Sequence, residues 1–164
     1  LQLVYDTDPE AMTANLERLH LDAGALGQFT LAAKFSQFDN ADLEVSPFEN
    51  EKGLLHDFEL SIVDTGLSAV LLPSLMLITG APTAEDTTDI ATTIRSWPES
   101  RISKKSAESF IRFFTALPDL SGNWTLRFES EEGLAINTLL AGSFDAFAER
   151  IPADAKIEAT AAKR

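Results

Sequence analysis

Apolar side chains recur at every second position in several stretches of the chain, the period that places alternate residues on one face of a β-sheet. Leu1, Leu3 and Tyr5 form a short run of this kind. Leu19 and Leu21 flank His20, Asp22 to Gly27 supplies a turn with two glycines, and Phe29, Leu31, Ala33 and Phe35 then alternate with Thr30, Ala32, Lys34 and Ser36. That pattern predicts a hairpin. Phe58, Leu60 and Ile62 alternate with Glu59 and Ser61, Trp124, Leu126 and Phe128 with Thr125 and Arg127, and Ile157 with Lys156 and Glu158. One face of the sheet is therefore polar, as expected of an antiparallel sheet covered mainly on one side.

From Leu67 the apolar spacing changes to three and four, the helical period. Asp64 or Thr65 can cap a helix that runs to Thr79 and is ended by Gly80, with Pro73 kinking or dividing it. Thr83 is placed to cap a second helix with Ile90, Ile94 and Trp97 on one face, stopped by Pro98. Ser103 is placed to cap a third, in which Ala107, Phe110, Ile111 and Phe114 share a stripe before Pro118. Leu134 to Ala141 and Phe144 to Ile151 read as two short helices separated by Gly142 and Ser143, and Asp39 to Lys52 reads as a long acidic loop.

Strands and helices are thus segregated along the chain, an α+β pattern and not a βαβ alternation. The expected architecture is a single α+β domain over residues 1–164, with a mostly antiparallel, twisted sheet of five or six strands and the central helices packed on one face. Leu31, Phe35, Leu60, Ile62, Ile90, Ile94, Phe110, Ile111, Phe114, Leu126 and Phe128 should form the core.

Composition narrows the function classes. At 164 residues with 45% hydrophobic content the chain has a core large enough to fold without staples. It has no cysteine, which removes thiol catalysis, zinc fingers and thiolate-ligated clusters. A net charge of −13 repels phosphate backbones and anionic lipid headgroups, which argues against nucleic-acid and membrane-surface roles. The least charged stretch, Thr65 to Pro82, contains Pro73 and is bordered by Gly66 and Gly80, so it reads as a buried helix and not a membrane span. The chain opens on Leu1-Gln2-Leu3 without a signal-peptide pattern, as expected of a trimmed or a mature form.

Motifs for specific chemistry are sparse. Asp39-Asn40-Ala41-Asp42-Leu43-Glu44 has a loose calcium-loop look but lacks the mid-loop glycine and terminal glutamate, and reads as a solvated acidic loop. No G-x-S-x-G elbow, P-loop or G-x-G-x-x-G occurs. The histidines are His20, expected on the polar face of its strand, and His56, expected just before one. No residues are assigned to catalysis or to a metal, and no cofactor is expected.

One segment departs from the acidic average. Arg95, Arg101, Lys104, Lys105 and Arg112, against Glu99 and Glu108, give residues 95–112 a charge of +3 and leave −16 for the rest. Arg101, Lys104, Lys105 and Arg112 form the candidate ligand or partner patch, fitted to an acidic protein surface, a carboxylate or a phosphate. The alternative is a solubilising helix face.

Two stretches together carry a family resemblance: residues 19–31, Leu-His-Leu-Asp-Ala-Gly-Ala-Leu-Gly-Gln-Phe-Thr-Leu, and residues 60–67, Leu-Ser-Ile-Val-Asp-Thr-Gly-Leu, running into a helix, Gly80 and a proline-terminated helix. Over most of residues 15 to 160 the chain resembles uncharacterised exported envelope proteins of alphaproteobacteria, and is distantly similar to AsmA-like β-rich envelope proteins. The resemblance implies a periplasmic or envelope setting and transfers no catalytic residue. The resulting expectation is a non-enzymatic binding domain for an apolar, lipid-like small molecule or a protein partner. The alternative is a hydrolase using carboxylates and His56, with or without a divalent cation.

Overall fold

In the computed structural model of the protein, which describes residues 1–8, 10–37, 53–69, 84–117, 120–140 and 144–162, the alternating segments form one six-stranded sheet. The strands are β1 (Gln2–Asp8), β2 (Thr13–Asp22), β3 (Gly27–Ser36), β4 (Leu54–Asp64), β5 (Gly122–Ala135) and β6 (Lys156–Ala162). They lie side by side in chain order, each pair antiparallel. Helices α1 (Ala84–Ser96) and α2 (Lys104–Ala116) fall between β4 and β5, and α3 (Phe144–Glu149) falls between β5 and β6. The fold is α+β with an antiparallel sheet, as the segregation of periods predicts.

Register sorts the two faces. Leu31, Leu60, Leu126 and Ala159 form one cross-strand row, and Ala33, Phe58, Phe128 and Ile157 the next. On the opposite face, Ala32, Glu59, Arg127 and Glu158 align, and beside them Lys34, Asp57, Glu129 and Lys156. A shift of one residue in any strand would exchange these faces, so burial of the apolar rows pins the register. Ile90, Ala91 and Ile94 of α1 and Ala107 and Ile111 of α2 share a buried cluster with Ala33, Leu55, Phe128 and Ile157 of the sheet. Aromatic rings extend it: Trp97 stacks on Phe144 at 6.1 Å, and Phe114 meets Phe110 and Phe144 edge-on at 5.1 and 5.5 Å.

Of the expected core, Ile62, Ile90, Ile94, Ile111, Leu126 and Phe128 are buried, and Leu31, Phe35, Leu60, Phe110 and Phe114 are half-buried. A second cluster forms around Ile62, Leu120 and Trp124, with Phe29, Leu60 and Phe113 packed on it. A chain of polar groups runs beneath this cluster. Asp64, 1% exposed, accepts the N–H of Gly66 at 2.7 Å and of Ser68 at 3.3 Å. Ser68 Oγ accepts the N–H of Leu120 at 3.0 Å, and the Leu120 carbonyl accepts the Trp124 indole N–H. Asp64 thus closes the turn that follows β4, and that turn is tied to the start of β5.

Gly27 is fixed by close approach. It sits at φ +128°, and a Cβ there would lie 2.1 Å from the Val63 carbonyl oxygen of β4. The tight passage at the start of β3 therefore demands glycine. Ser103 caps α2 as its sequence predicts, its Oγ accepting the Ser106 N–H at 3.2 Å.

Two expectations are corrected. The short helix expected from Leu134 is helical only in part: β5 continues to Ala135, and Ile136–Leu140 form a 3-10 helix. Leu134 pairs with Leu55, and the Ile136 N–H donates to the Gly53 carbonyl at 2.9 Å, so sheet pairing overrides the helical spacing of a short run. The second strand is longer than Leu19 to Leu21, because Glu17 and Arg18 interrupt the alternation where the register shifts between Leu16 and Leu19. The acidic loop at 39–52, the Thr83 cap, and the helix expected from Leu67 to Thr79 beyond residue 69 lie outside the described residues.

The sheet's two edges differ. Along β6, the Ile157 N–H donates to the Arg101 carbonyl at 2.7 Å and Ile102 forms a parallel bridge with Ile157. At β1, Leu3 and Tyr5 are 56% and 64% exposed, and Leu1 just before the strand is 88% exposed.

Candidate functional site

The most elaborate side-chain arrangement on the polar side begins with a widened stretch of β5. Asp57 pairs with Glu129 and Leu55 with Leu134, so the single residue His56 lies opposite Ser130 to Gly133. Bulges of this kind re-aim side chains, and here the re-aimed side chain is an imidazole. His56 Nδ1 lies 3.0 Å from the Ser130 carbonyl oxygen, and Nε2 lies 2.7 Å from Ser36 Oγ at the end of β3. A carbonyl can only accept, so Nδ1 carries the hydrogen. In the neutral ring Nε2 is then the acceptor and the Ser36 hydroxyl donates to it.

The bulge is itself held. Asp154 accepts the Ser130 hydroxyl at 2.7 Å and the N–H groups of Glu131 and Glu132 at 2.6 and 3.2 Å, while Ser130 Oγ accepts the Gly133 N–H at 2.9 Å. The Ser130 hydroxyl, opposed by desolvation and helped by the two N–H groups, holds the Asp154 carboxyl below its ordinary value. Gly133, at φ +80°, gives the imidazole room: a Cβ there would stand 2.8 Å from His56 Cε1 and 2.9 Å from Leu54 Cβ. His20, by contrast, touches Thr30 Oγ1 across β2 and β3 at 2.9 Å, on the polar face as its alternation predicts.

On the same face a groove of about 400 Å³ crosses β2 to β5, lined by residues that include Asn15, Glu17, Lys34, Asp57, Glu59, Arg127 and Glu129. Lys34 pairs with Asp57 at 2.9 Å and Arg127 with Glu59 at 2.6 Å, both partly exposed. The Glu59 carboxylate raises the Arg127 guanidinium above its ordinary value, Glu129 and Glu158 adding to it. Lys34, Asp57 and Glu129 of its lining stand one or two residues along their strands from Ser36, His56 and Ser130. No group of three or more potential metal-ligating side chains is found among the described residues.

Three members of the predicted basic patch, Lys104, Lys105 and Arg112, lie on α2, and Arg101 precedes it. Arg101 is tucked inward: its guanidinium lies 5.8 Å from the Trp97 ring centroid and donates to the Pro152 carbonyl at 3.2 Å. Lys104, on the surface, pairs with Glu99 at 3.1 Å. Lys105 and Arg112 are exposed on α2. Arg95 is engaged by Glu108 through two hydrogen bonds, at 3.0 and 3.2 Å, which hold the Glu108 carboxyl low and the Arg95 guanidinium high. What the sequence reading missed is Ser36. It carries no motif, and its partnership with His56 depends on the pairing of β3 with β4 and on the bulge in β5.

Comparison of the chain with protein-family models, with curated proteins and with solved structures gives no match. Function therefore has to be read from geometry and chemistry.

Proposed function

We propose that the protein is a binding domain of the bacterial cell envelope or periplasm, with its helices gathered on one face of the sheet and an apolar rim at β1 that takes an apolar ligand or a protein segment. The observation that carries this reading is the exposure of Leu1, Leu3 and Tyr5 at an edge strand of a sheet whose other edge is bridged. An edge strand offers unpaired backbone groups together with alternate side chains, the combination used in recognition by strand addition. The envelope setting rests on the sequence resemblance. Among the described residues no helix is long and apolar enough to cross a membrane.

Tyr5 is the sole tyrosine of the chain and serves as the reporter. With 3-fluorotyrosine incorporated, the 19F resonance should shift saturably when dodecyl maltoside is added below its micelle concentration, or when an extended peptide with alternating leucines is added. Leu3→Glu should suppress the shift. A resonance that stays unchanged with both probes would refute the apolar rim as a binding surface.

The exposed cations of α2 are proposed to serve as a docking patch for an acidic partner. Reversal of Lys104, Lys105 and Arg112 to Glu should leave the midpoint of chemical unfolding nearly unchanged, because exposed ion pairs contribute little. Association with a polyglutamate peptide should slow on reversal, and for the wild type it should slow with added salt. Rates indifferent to both changes would reduce α2 to a solubilising face.

A further inference from the structure

We propose that Ser36 is a nucleophile activated by His56, able to accept an acyl group from a short, polar carboxylic ester. This site is on the polar side of the sheet and does not depend on the apolar rim. General-base activation requires a bare imidazole nitrogen aimed at the hydroxyl and a second contact that fixes the tautomer. Both are present: Nε2 meets Ser36 Oγ at 2.7 Å, and Nδ1–H is directed to the Ser130 carbonyl at 3.0 Å. A backbone carbonyl here occupies the orienting position that a carboxylate takes in the familiar triads.

The surroundings are built to hold that geometry. Asp154 pins the bulge that presents the Ser130 carbonyl, and Gly133 leaves space that any side chain would take from the imidazole. Ser36 and His56 are half-buried, so they are shielded without being sealed off. His20 and Thr30 provide an internal contrast. They form a similar contact at 2.9 Å, but no described hydrogen bond fixes the other nitrogen of His20.

The reaction is ordinary acyl transfer. Ser36 Oγ forms a bond to the ester carbonyl carbon as its proton passes to His56 Nε2, and the carbon–oxygen bond to the alcohol breaks as that oxygen takes the proton. Water then attacks the acyl-serine carbonyl, giving its proton to His56, which returns it to Ser36 Oγ as the acid departs. The sum is ester plus water to acid plus alcohol. The charged lining of the adjacent groove, with Lys34, Asp57, Arg127 and Glu129, favours small polar substrates over long alkyl chains.

Two measurements test the proposal. A fluorophosphonate probe should give one covalent adduct, mapped by peptide mass spectrometry to Ser36 and lost in Ser36→Ala and in His56→Gln. Absence of an adduct on Ser36 in the wild-type chain overturns the proposal. Because the chain has no cysteine, Ser36→Cys introduces a single thiol. Its alkylation by iodoacetamide at pH 7 should be at least about tenfold faster than in the Ser36→Cys, His56→Gln double variant, since an adjacent imidazole favours the thiolate. Rates within about twofold of each other, with both variants folded by circular dichroism, overturn the role of His56 as base. If the double variant does not fold, the pH profile of Ser36→Cys alone decides. Fast alkylation persisting well below the ordinary thiol value of about 8.5 supports activation, and a profile that follows an ordinary thiol overturns it.

Discussion

Replacing Asp64 with Ala should destabilise the protein by about 2–3 kcal/mol, because it leaves the N–H groups of Gly66 and Ser68 without their acceptor in a buried place. The loss should spread to β5, since Ser68 holds the Leu120 N–H and Leu120 holds the Trp124 indole. Loss of near-ultraviolet tryptophan dichroism at lower denaturant concentration is the expected readout. The effect also depends on pH. Burial pushes the Asp64 carboxyl up, but the Ser68 hydroxyl and the N–H groups of Gly66, Ser68 and Leu67 outweigh it and leave the group below its ordinary value of 3.8. A carboxyl lowered in the folded state stabilises fully above its unfolded value, and that contribution fades as the pH falls through 3.8 toward the lower folded value. Urea unfolding of wild type and Asp64→Asn from pH 7 to pH 3 should therefore show two curves that are separated at neutral pH and converge in acid. A constant separation across this range would mean that the carboxylate charge contributes nothing to the turn.

Truncation of Ile94 to Ala should be at least as damaging, about 3–4 kcal/mol. Ile94 is 0% exposed and belongs to the cluster that joins α1 and α2 to β3, β4, β5 and β6. Removing its methyl groups takes away burial energy and leaves a hole that the surrounding Ile90, Ile111 and Phe128 can fill only by moving. Chemical denaturation would measure the loss. A change under about 1 kcal/mol would show that the helices are not closely packed on the sheet.

Much of the architecture was legible because burial on one face writes its period directly into the sequence. The strands through Phe29, Phe58, Trp124 and Ile157, and the helices around Ile94 and Ile111, each keep an unbroken period over several residues. The reading failed where two constraints meet in one segment. The run from Leu134 has helical spacing, but β4 at Leu55 takes Leu134 and the Gly53 carbonyl takes the Ile136 N–H, so the helix starts only at Ile136. In the second strand, Glu17 and Arg18 occupy an irregularity that no alternation rule reveals.

The candidate site was less legible still. His56 stood out because histidines are few, yet neither of its partners could be named: Ser36 is twenty residues away on a neighbouring strand, and Ser130 contributes a backbone carbonyl seventy-four residues away. Backbone atoms have no signature in sequence. The basic patch was legible as charge, while the side-chain ties of its members were not. Of its members, Arg101 is committed to Trp97 and Pro152, and Lys104 to Glu99.

The meander order of the strands has a kinetic meaning. Each strand pairs with its neighbour in the chain, and the four-residue connections of β1 to β2 and of β2 to β3 let those two hairpins close fast, in about 1–10 μs for a short turn. The union of β4 with β5 is different, because the stretch from Thr65 to Ser121, which includes α1 and α2, must close between them. The entropy of closing a flexible loop rises only with the logarithm of its length, and helices formed early shorten the span that remains to be closed. Assembly is thereby divided in two: a four-stranded hairpin array on one side, a helix-backed β5–β6 pair on the other, with the β4–β5 seam as the step that makes folding cooperative.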